Sequence, residues 1–157
     1  MIFDRTKEDV ETAEQIFNEK VKNFIPLSEE EESQMERGRL TTSTLNRIEL
    51  KQAEIKYWLK ELQYLKKDLI NKQWNDGFFF KEDLQRLVEN TKELRAAFYV
   101  SDNSTENPVA IFRYDEFNKI EKILFELAEN IDNAKFSFKL CGTFNSNQSV
   151  LPLWRSL

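Results

Sequence analysis

The sequence predicts a mainly α fold, an elongated helical bundle built from three related helical units, with a short β-prone hairpin and a C-terminal strand. Three observations carry this expectation. Apolar residues recur at three- and four-residue steps over long stretches, which is the period of one helix face. The only glycines and prolines, Pro26, Gly38, Gly77, Pro108, Gly142 and Pro152, fall where that period breaks. Finally, Leu45-Asn46-Arg47-Ile48-Glu49 has an echo in Phe117-Asn118-Lys119-Ile120-Glu121.

The chain divides into an N-terminal helical segment over 1–38, three related helical units over 39–132 and a β-prone tail over 133–157. In the first segment Val10, Ala13, Phe17, Val21 and Phe24 form one stripe, with Thr6 as N-cap and Asp9 as a weaker capping-box partner. Ser28 and Glu31 make a stronger capping box for a second helix. Glu29 to Glu32 read as its solvated first turn, set against the positive end of the helix dipole. Gly38 is expected to close that helix in a left-handed conformation.

The longest element starts near Thr42. Leu45, Ile48, Ile55, Leu59, Leu62 and Leu69 share a face, with polar Gln52 at one core-like position. Continued to Asn71, this helix would be about 45 Å long, a length that suggests a coiled-coil-like seam within the chain or between chains. Two further helical stripes cover 81–98 and 114–131. Between them, Phe98 to Val100 and Val109 to Phe112 flank a polar centre, as in a loose hairpin or exposed loop. In the tail, Phe136, Phe138 and Leu140 alternate with polar neighbours at the strand period.

The echo extends to three copies. With shifts of 39 and then 33 residues, Leu45 aligns with Leu84 and Phe117, and Ile48 with Leu87 and Ile120. Ile55 then aligns with Leu94 and Leu127, Leu59 with Phe98 and Ile131, and Leu40 with Phe79 and Phe112. Polar positions agree as well: Asn46 with Gln85 and Asn118, then Arg47 with Arg86 and Lys119. Glu49 matches Glu121, whereas the middle copy carries Val88. One helical unit used three times explains this pattern. Beside a seam, a carboxamide satisfies a neighbouring backbone group and an arginine stem covers apolar surface, so the shared residues read as a packing signature.

Composition narrows the function. The chain is 40% apolar, with 13 Phe, 4 Tyr and 3 Trp, which supplies a core and argues against wholesale disorder. Its net charge is −5, with acids and bases interspersed and no basic stripe, so no nucleic-acid partner is expected. No apolar run approaches the roughly 20 residues of a membrane span, so no membrane insertion is expected. The opening residues are acidic and polar, unlike a signal peptide. Histidine is absent, and Cys141 is the only cysteine, which removes the usual general base and any intrachain disulfide. A single cysteine fits a reducing cytoplasm.

No residue pattern demands catalysis. Glu49 and Glu121 are the carboxylates an acid–base pair would need, yet each reads as a solvated helix-face charge. Cys141 has no histidine to activate it. Residues 101–107 have the polar content of a weak calcium loop but lack its ligand pattern and glycine. The chain is therefore expected to be no enzyme and to need no cofactor or metal. Tyr57, Trp58 and Tyr64 read as core or seam packing. Leu151, Leu153 and Trp154 are candidate partner-binding residues, docking on the helices or adding to a neighbouring subunit as a strand.

A family resemblance runs through most of the chain. Asp4-Arg5-Thr6, Asp9-Val10, Ser28 to Glu31, Gly38 and Leu45 to Glu49 resemble a layout found in small structural proteins of tailed bacteriophages and prophages of Gram-positive bacteria. There a DRT-x-x-DV opening precedes a segment ending L-N-R-I-E. Trp74, Gly77 and Asp83 are similar to a second unit of such proteins, and Phe117 to Glu121 to another N-R-I-E unit with lysine for arginine. The ending over 141–153 is similar to tail endings in the same group.

The resemblance implies a structural virion component of the tail tip, baseplate or fibre attachment, or of a phage-tail-like bacteriocin. It implies synthesis in the bacterial host cytoplasm, a homo-oligomeric state in the particle, and other tail, baseplate or fibre proteins as partners. It brings no catalytic residues. The other readings of the residues are a cytoplasmic helical adaptor or regulator that binds a protein partner, and a carbohydrate-binding receptor module.

Overall fold

The computed structural model describes residues 1–75, 77–98 and 105–140, with 136–140 as backbone only. The chain is mainly helical: α1 Lys7–Glu19, a 3-10 turn Val21–Asn23, α2 Glu29–Gly38, α3 Thr42–Glu61, α4 Lys81–Ala97 and α5 Tyr114–Leu140. No described residue lies in a strand.

α1 and α2 form an antiparallel hairpin. Both expected capping boxes are present: Asp9 N–H donates to Thr6 Oγ1 while Asp9 accepts from Thr6 N–H, and Ser28 and Glu31 do the same. Lys20, following α1, pairs with Glu31 in the first turn of α2 at 2.5 Å. At the other end Arg37 Nε meets Asp9 Oδ1 at 3.2 Å. Two expectations are corrected here. Phe24 leaves the stripe: it takes a left-handed conformation (φ 56°) and is 94% exposed. Gly38 is not left-handed. It ends α2 against α1, where an added Cβ would stand 2.0 Å from Asp9 O and 2.4 Å from Ala13 Cβ. Close helix approach, rather than a turn, requires glycine there.

The long helix is also corrected. α3 stops at Glu61, so it spans roughly 30 Å. Gln63 adopts a left-handed φ of 61°, and the N–H groups of Tyr64 and Leu65 both donate to Leu59 O, which turns the chain back. Leu69 is buried as expected, but from the returning segment and not from a helix, and Leu65 joins it in the core. Lys56 Nζ donates to Leu69 O at 2.9 Å and fixes that return.

α3, α4 and α5 each contact the other two. Contacts between α3 and α5 advance in the same direction along both helices, from Arg47–Glu121 to Trp58–Lys135. Those between α3 and α4 advance likewise, from Glu49–Arg86 to Gln52–Thr91. The three helices are therefore parallel, and each connection must run back along the bundle. The coiled-coil-like seam lies within the chain.

Leu45, Ile48, Ile55, Leu59, Leu84, Leu87, Leu94, Phe117, Ile120, Leu127 and Ile131 are all buried in one cluster, and Phe98 packs on its edge. Gln52, the polar exception, is 1% exposed and fully engaged. Its Nε2 donates to Leu87 O and Thr91 Oγ1, both at 2.9 Å, and its Oε1 accepts from Asn90 Nδ2 at 3.3 Å. Of the expected packing aromatics, Trp58 lies against the core, whereas Tyr57 and Tyr64 are about half exposed.

The strand expected at Phe136 to Leu140 is corrected. The backbone of 133–140 continues α5, so Phe136, Phe138 and Leu140 sit on a helix. A period-two pattern over so few residues yields to the helix already running into it. Residues 105–113 are irregular, with Ile111 N–H donating to Val109 O and Arg113 N–H to Ile111 O. The other flank of the expected hairpin is described only at Phe98, so that expectation falls partly outside the described residues. Residues 99–104 and the tail from Cys141 onward, with Leu151, Leu153 and Trp154, lie outside the described residues.

Candidate functional site

The repeated polar residues converge on the helix seams, where they clip returning chain to helix. On α3, Asn46 faces the backbone of Trp74: its Nδ2 donates to Trp74 O at 2.6 Å, and its Oδ1 accepts from Trp74 N–H at 2.7 Å. On α5, Asn118 does the same to Arg5, with Nδ2 donating to Arg5 O at 2.9 Å and Oδ1 accepting from Arg5 N–H at 3.3 Å. A carboxamide carries one donor and one acceptor side, which matches a peptide group in an extended segment.

The glutamate one helical turn further completes each clip. Glu49 accepts from Lys72 N–H at 3.0 Å and from Trp74 Nε1 at 3.3 Å, and Arg86 of α4 grips both its oxygens. Glu121 accepts from Ile2 N–H, from Arg5 Nη2 at 2.7 Å and from Arg47 Nη2 of α3 at 3.0 Å. In both places the extended segment runs antiparallel to its helix, with the glutamate on the earlier residue and the asparagine on the later one.

Glu49 and Glu121 are thus not solvated face charges: they are 2% and 0% exposed. Helical periodicity put both beside the apolar stripe, but only the arriving segments and guanidiniums cover them. A carboxylate so buried needs charged partners and main-chain donors, and each has both. The Nε atoms of Arg47 and Arg86 are likewise both buried without a hydrogen-bond partner. The two arginines occupy matching settings.

The middle copy departs. Gln85 is exposed and donates to Glu89 of its own helix at 3.1 Å. Val88 is buried. Lys119 pairs with Glu116 of its own helix at 2.9 Å and with Glu106 at 3.6 Å, not with α4. Thr44, Asp83 and Glu116, near the starts of α3, α4 and α5, are all buried and serve the entry to each helix. Thr44 N–H donates to Thr41 Oγ1, Asp83 accepts from Phe80 N–H, and Glu116 accepts from Val109 N–H.

The clips also tie the N-terminal hairpin to the bundle. Glu36 of α2 pairs with Arg47, which pairs with Glu121, which pairs with Arg5, so four charges link α2, α3, α5 and the first residues. Hydrogen bonds from Ser43 and Arg47 outweigh the upward push of burial and hold the Glu36 carboxyl below its ordinary value. Lys72 and the Phe80 amide do the same for Asp83 against its burial. Sequence reasoning missed Glu36, Lys72 and Asn90. None stands in the repeated motif, and each acquires its partner only through the fold.

A cavity of about 320 Å³ lies between the hairpin and the starts of α3 and α5, lined in part by Arg5, Arg37, Gly38, Leu40 and Phe112. Two of its lining arginines, Arg5 and Arg37, are committed to Glu121 and Asp9. Among the described residues no helix is long and apolar enough to cross a membrane, and no three acidic or cysteine side chains gather as a metal site.

Fold and clips together define a class: a single-chain parallel three-helix bundle with an N-terminal helical hairpin, held by side-chain-to-backbone clips. No protein-family model, curated protein or solved structure compared with the chain matches it.

Proposed function

We propose that the chain is a non-enzymatic structural component of a phage tail or phage-tail-like particle, at the tail tip, baseplate or fibre attachment. It acts through helix packing and subunit assembly, with one helical unit used three times. One observation carries this reading. The residues of the phage-like layout, Arg5, Thr6 and Asp9 together with Asn46, Arg47, Glu49, Asn118 and Glu121, are the ones that cap helices and clip segments to them. A motif whose members all serve architecture suits a scaffold better than a reaction.

Sucrose-gradient sedimentation of a producing lysate, followed by mass spectrometry, tests the proposal. The chain is expected to travel with assembled tails, and recovery only among small soluble proteins at the top sinks it. Deleting residues 150–157 tests Leu151, Leu153 and Trp154 as partner-binding residues, since unchanged incorporation removes that role.

A helical adaptor that binds a protein partner is the second reading. It is favoured by the apolar surface at the amino-terminal end of the bundle, where Phe78 is 83%, Phe80 59% and Phe112 53% exposed. A soluble one-to-one complex in the same lysate distinguishes it from particle assembly.

A further inference from the structure

The Arg–Glu links have a direction. Arg86 of α4 reaches Glu49 of α3, and Arg47 of α3 reaches Glu121 of α5. Three parallel helices in mutual contact form a ring, so the next link would run from Lys119 of α5 to residue 88 of α4. That residue is valine, 2% exposed, and Lys119 turns away to Glu116 and Glu106. The two departures from the repeat therefore meet at one seam. With no carboxylate at 88 there is nothing for a long bidentate arginine to grip, and the shorter lysine has a local partner instead.

The segment at this seam is also held differently. Residues 70–74 lie between α3 and α4, clipped by Asn46 and Glu49 on one side, while Arg86 and Asn90 donate to Ile70 O from the other. Residues 105–109 lie between α4 and α5. Arg95 donates to Thr105 O at 2.7 Å and to Asn107 Oδ1 at 3.1 Å, and Glu116 accepts from Val109 N–H at 2.7 Å. Here α4 supplies neither the carboxamide pair nor the carboxylate, because Gln85 faces solvent and position 88 is apolar. The Thr105 hydroxyl is buried with no hydrogen-bond partner.

We infer that the α4/α5 seam is a third clip site, left open by the matched residues Val88 and Lys119, and that segment 105–112 is the first of the three seam segments to release from the bundle. Local opening follows the interactions that hold a segment, so the seam without its clip opens at lower cost than the other two. The bundle then has one built-in place to part, between α4 and α5, while both α3 seams stay closed. This inference is independent of whether the chain belongs to a particle.

Amide hydrogen exchange read by NMR on the full chain tests it. The Val109 amide is expected to exchange at least about tenfold faster than those of Arg5 and Trp74, each of which donates to an asparagine clip. Val88→Glu with Lys119→Arg supplies the missing link and is expected to slow Val109 while leaving Trp74 unchanged. The reverse exchange, Glu49→Val with Arg86→Lys, imposes the open arrangement on the α3/α4 seam. It is expected to speed Trp74 selectively, and it decides the matter if the first variant does not fold. Equal protection of Val109 and Trp74 in the native chain overturns the inference, as does a uniform shift of all amides in the variants.

Discussion

Arg47 Nη2 lies 3.0 Å from Glu121 Oε1, across 74 positions of sequence, and joins the first repeated motif to its later echo. The arginine of one copy meets the glutamate of another. The motif therefore works between helices, and each copy is incomplete until a neighbour packs against it.

Removing that glutamate is expected to cost more than removing a typical ion pair. Glu121 has no exposed surface and takes Arg5, Arg47 and the Ile2 amide. Glu121→Ala leaves the buried Arg5 guanidinium without its carboxylate, while Arg47 keeps Glu36, and is expected to destabilise by about 3–5 kcal/mol. Urea denaturation measures this as a fall in midpoint. An exposed control such as Glu11→Ala, which breaks the surface pair with Lys7, is expected to move stability by less than about 1 kcal/mol.

Gly38→Ala is expected to destabilise by about 1–3 kcal/mol, the usual cost of overpacking. The new methyl would strike the Asp9 carbonyl, a backbone atom that moves only if α1 and α2 separate. Thermal unfolding would show the loss, and the signals of Asp9 and Ala13 in an NMR spectrum should shift most. Gly77→Ala, by contrast, meets no atoms and is opposed only by its φ of 129°.

Acid is expected to weaken the hairpin. The Arg37 guanidinium, then the Thr6 amide, hold the Asp9 carboxyl below its ordinary value of 3.8. A group whose folded-state pKa is depressed contributes stability that is complete above the unfolded value and is lost as pH falls through the folded one. Stability should therefore be insensitive to Asp9 from neutrality down to about pH 5 and fall below about pH 4. Urea denaturation of the native chain and of Asp9→Asn across that range checks this. The variant should be less stable at neutral pH and lose less on acidification.

Much of the architecture is legible in the residues because it is local. Capping boxes at Thr6 and Ser28 need only four consecutive residues, and the starts of α3, α4 and α5 follow from the change of period after Leu40, Phe79 and Phe112. The end of α3 was not legible. Leu62 and Leu69 continue the helical spacing, and a pattern of apolar residues is the same whether they are buried by a helix or by a chain folded back on it. Phe136 and Phe138 misled in the opposite sense, since alternation over so short a stretch does not outweigh a helix already formed.

What the sequence determined by itself is which residues are apolar on which face, where helices begin, and that Asn-Arg-Ile-Glu recurs. Those depend on near neighbours and on a period set by backbone geometry. Only the tertiary structure decided that the three long helices run parallel, that Glu49 and Glu121 are buried, and that Gly38 serves close approach. Each of these depends on groups far apart in the chain: Trp74 on Asn46, Arg5 on Asn118, Arg86 on Glu49. A charged residue beside an apolar stripe has one meaning in water and another beneath a returning segment, and the covering segment is supplied by the fold.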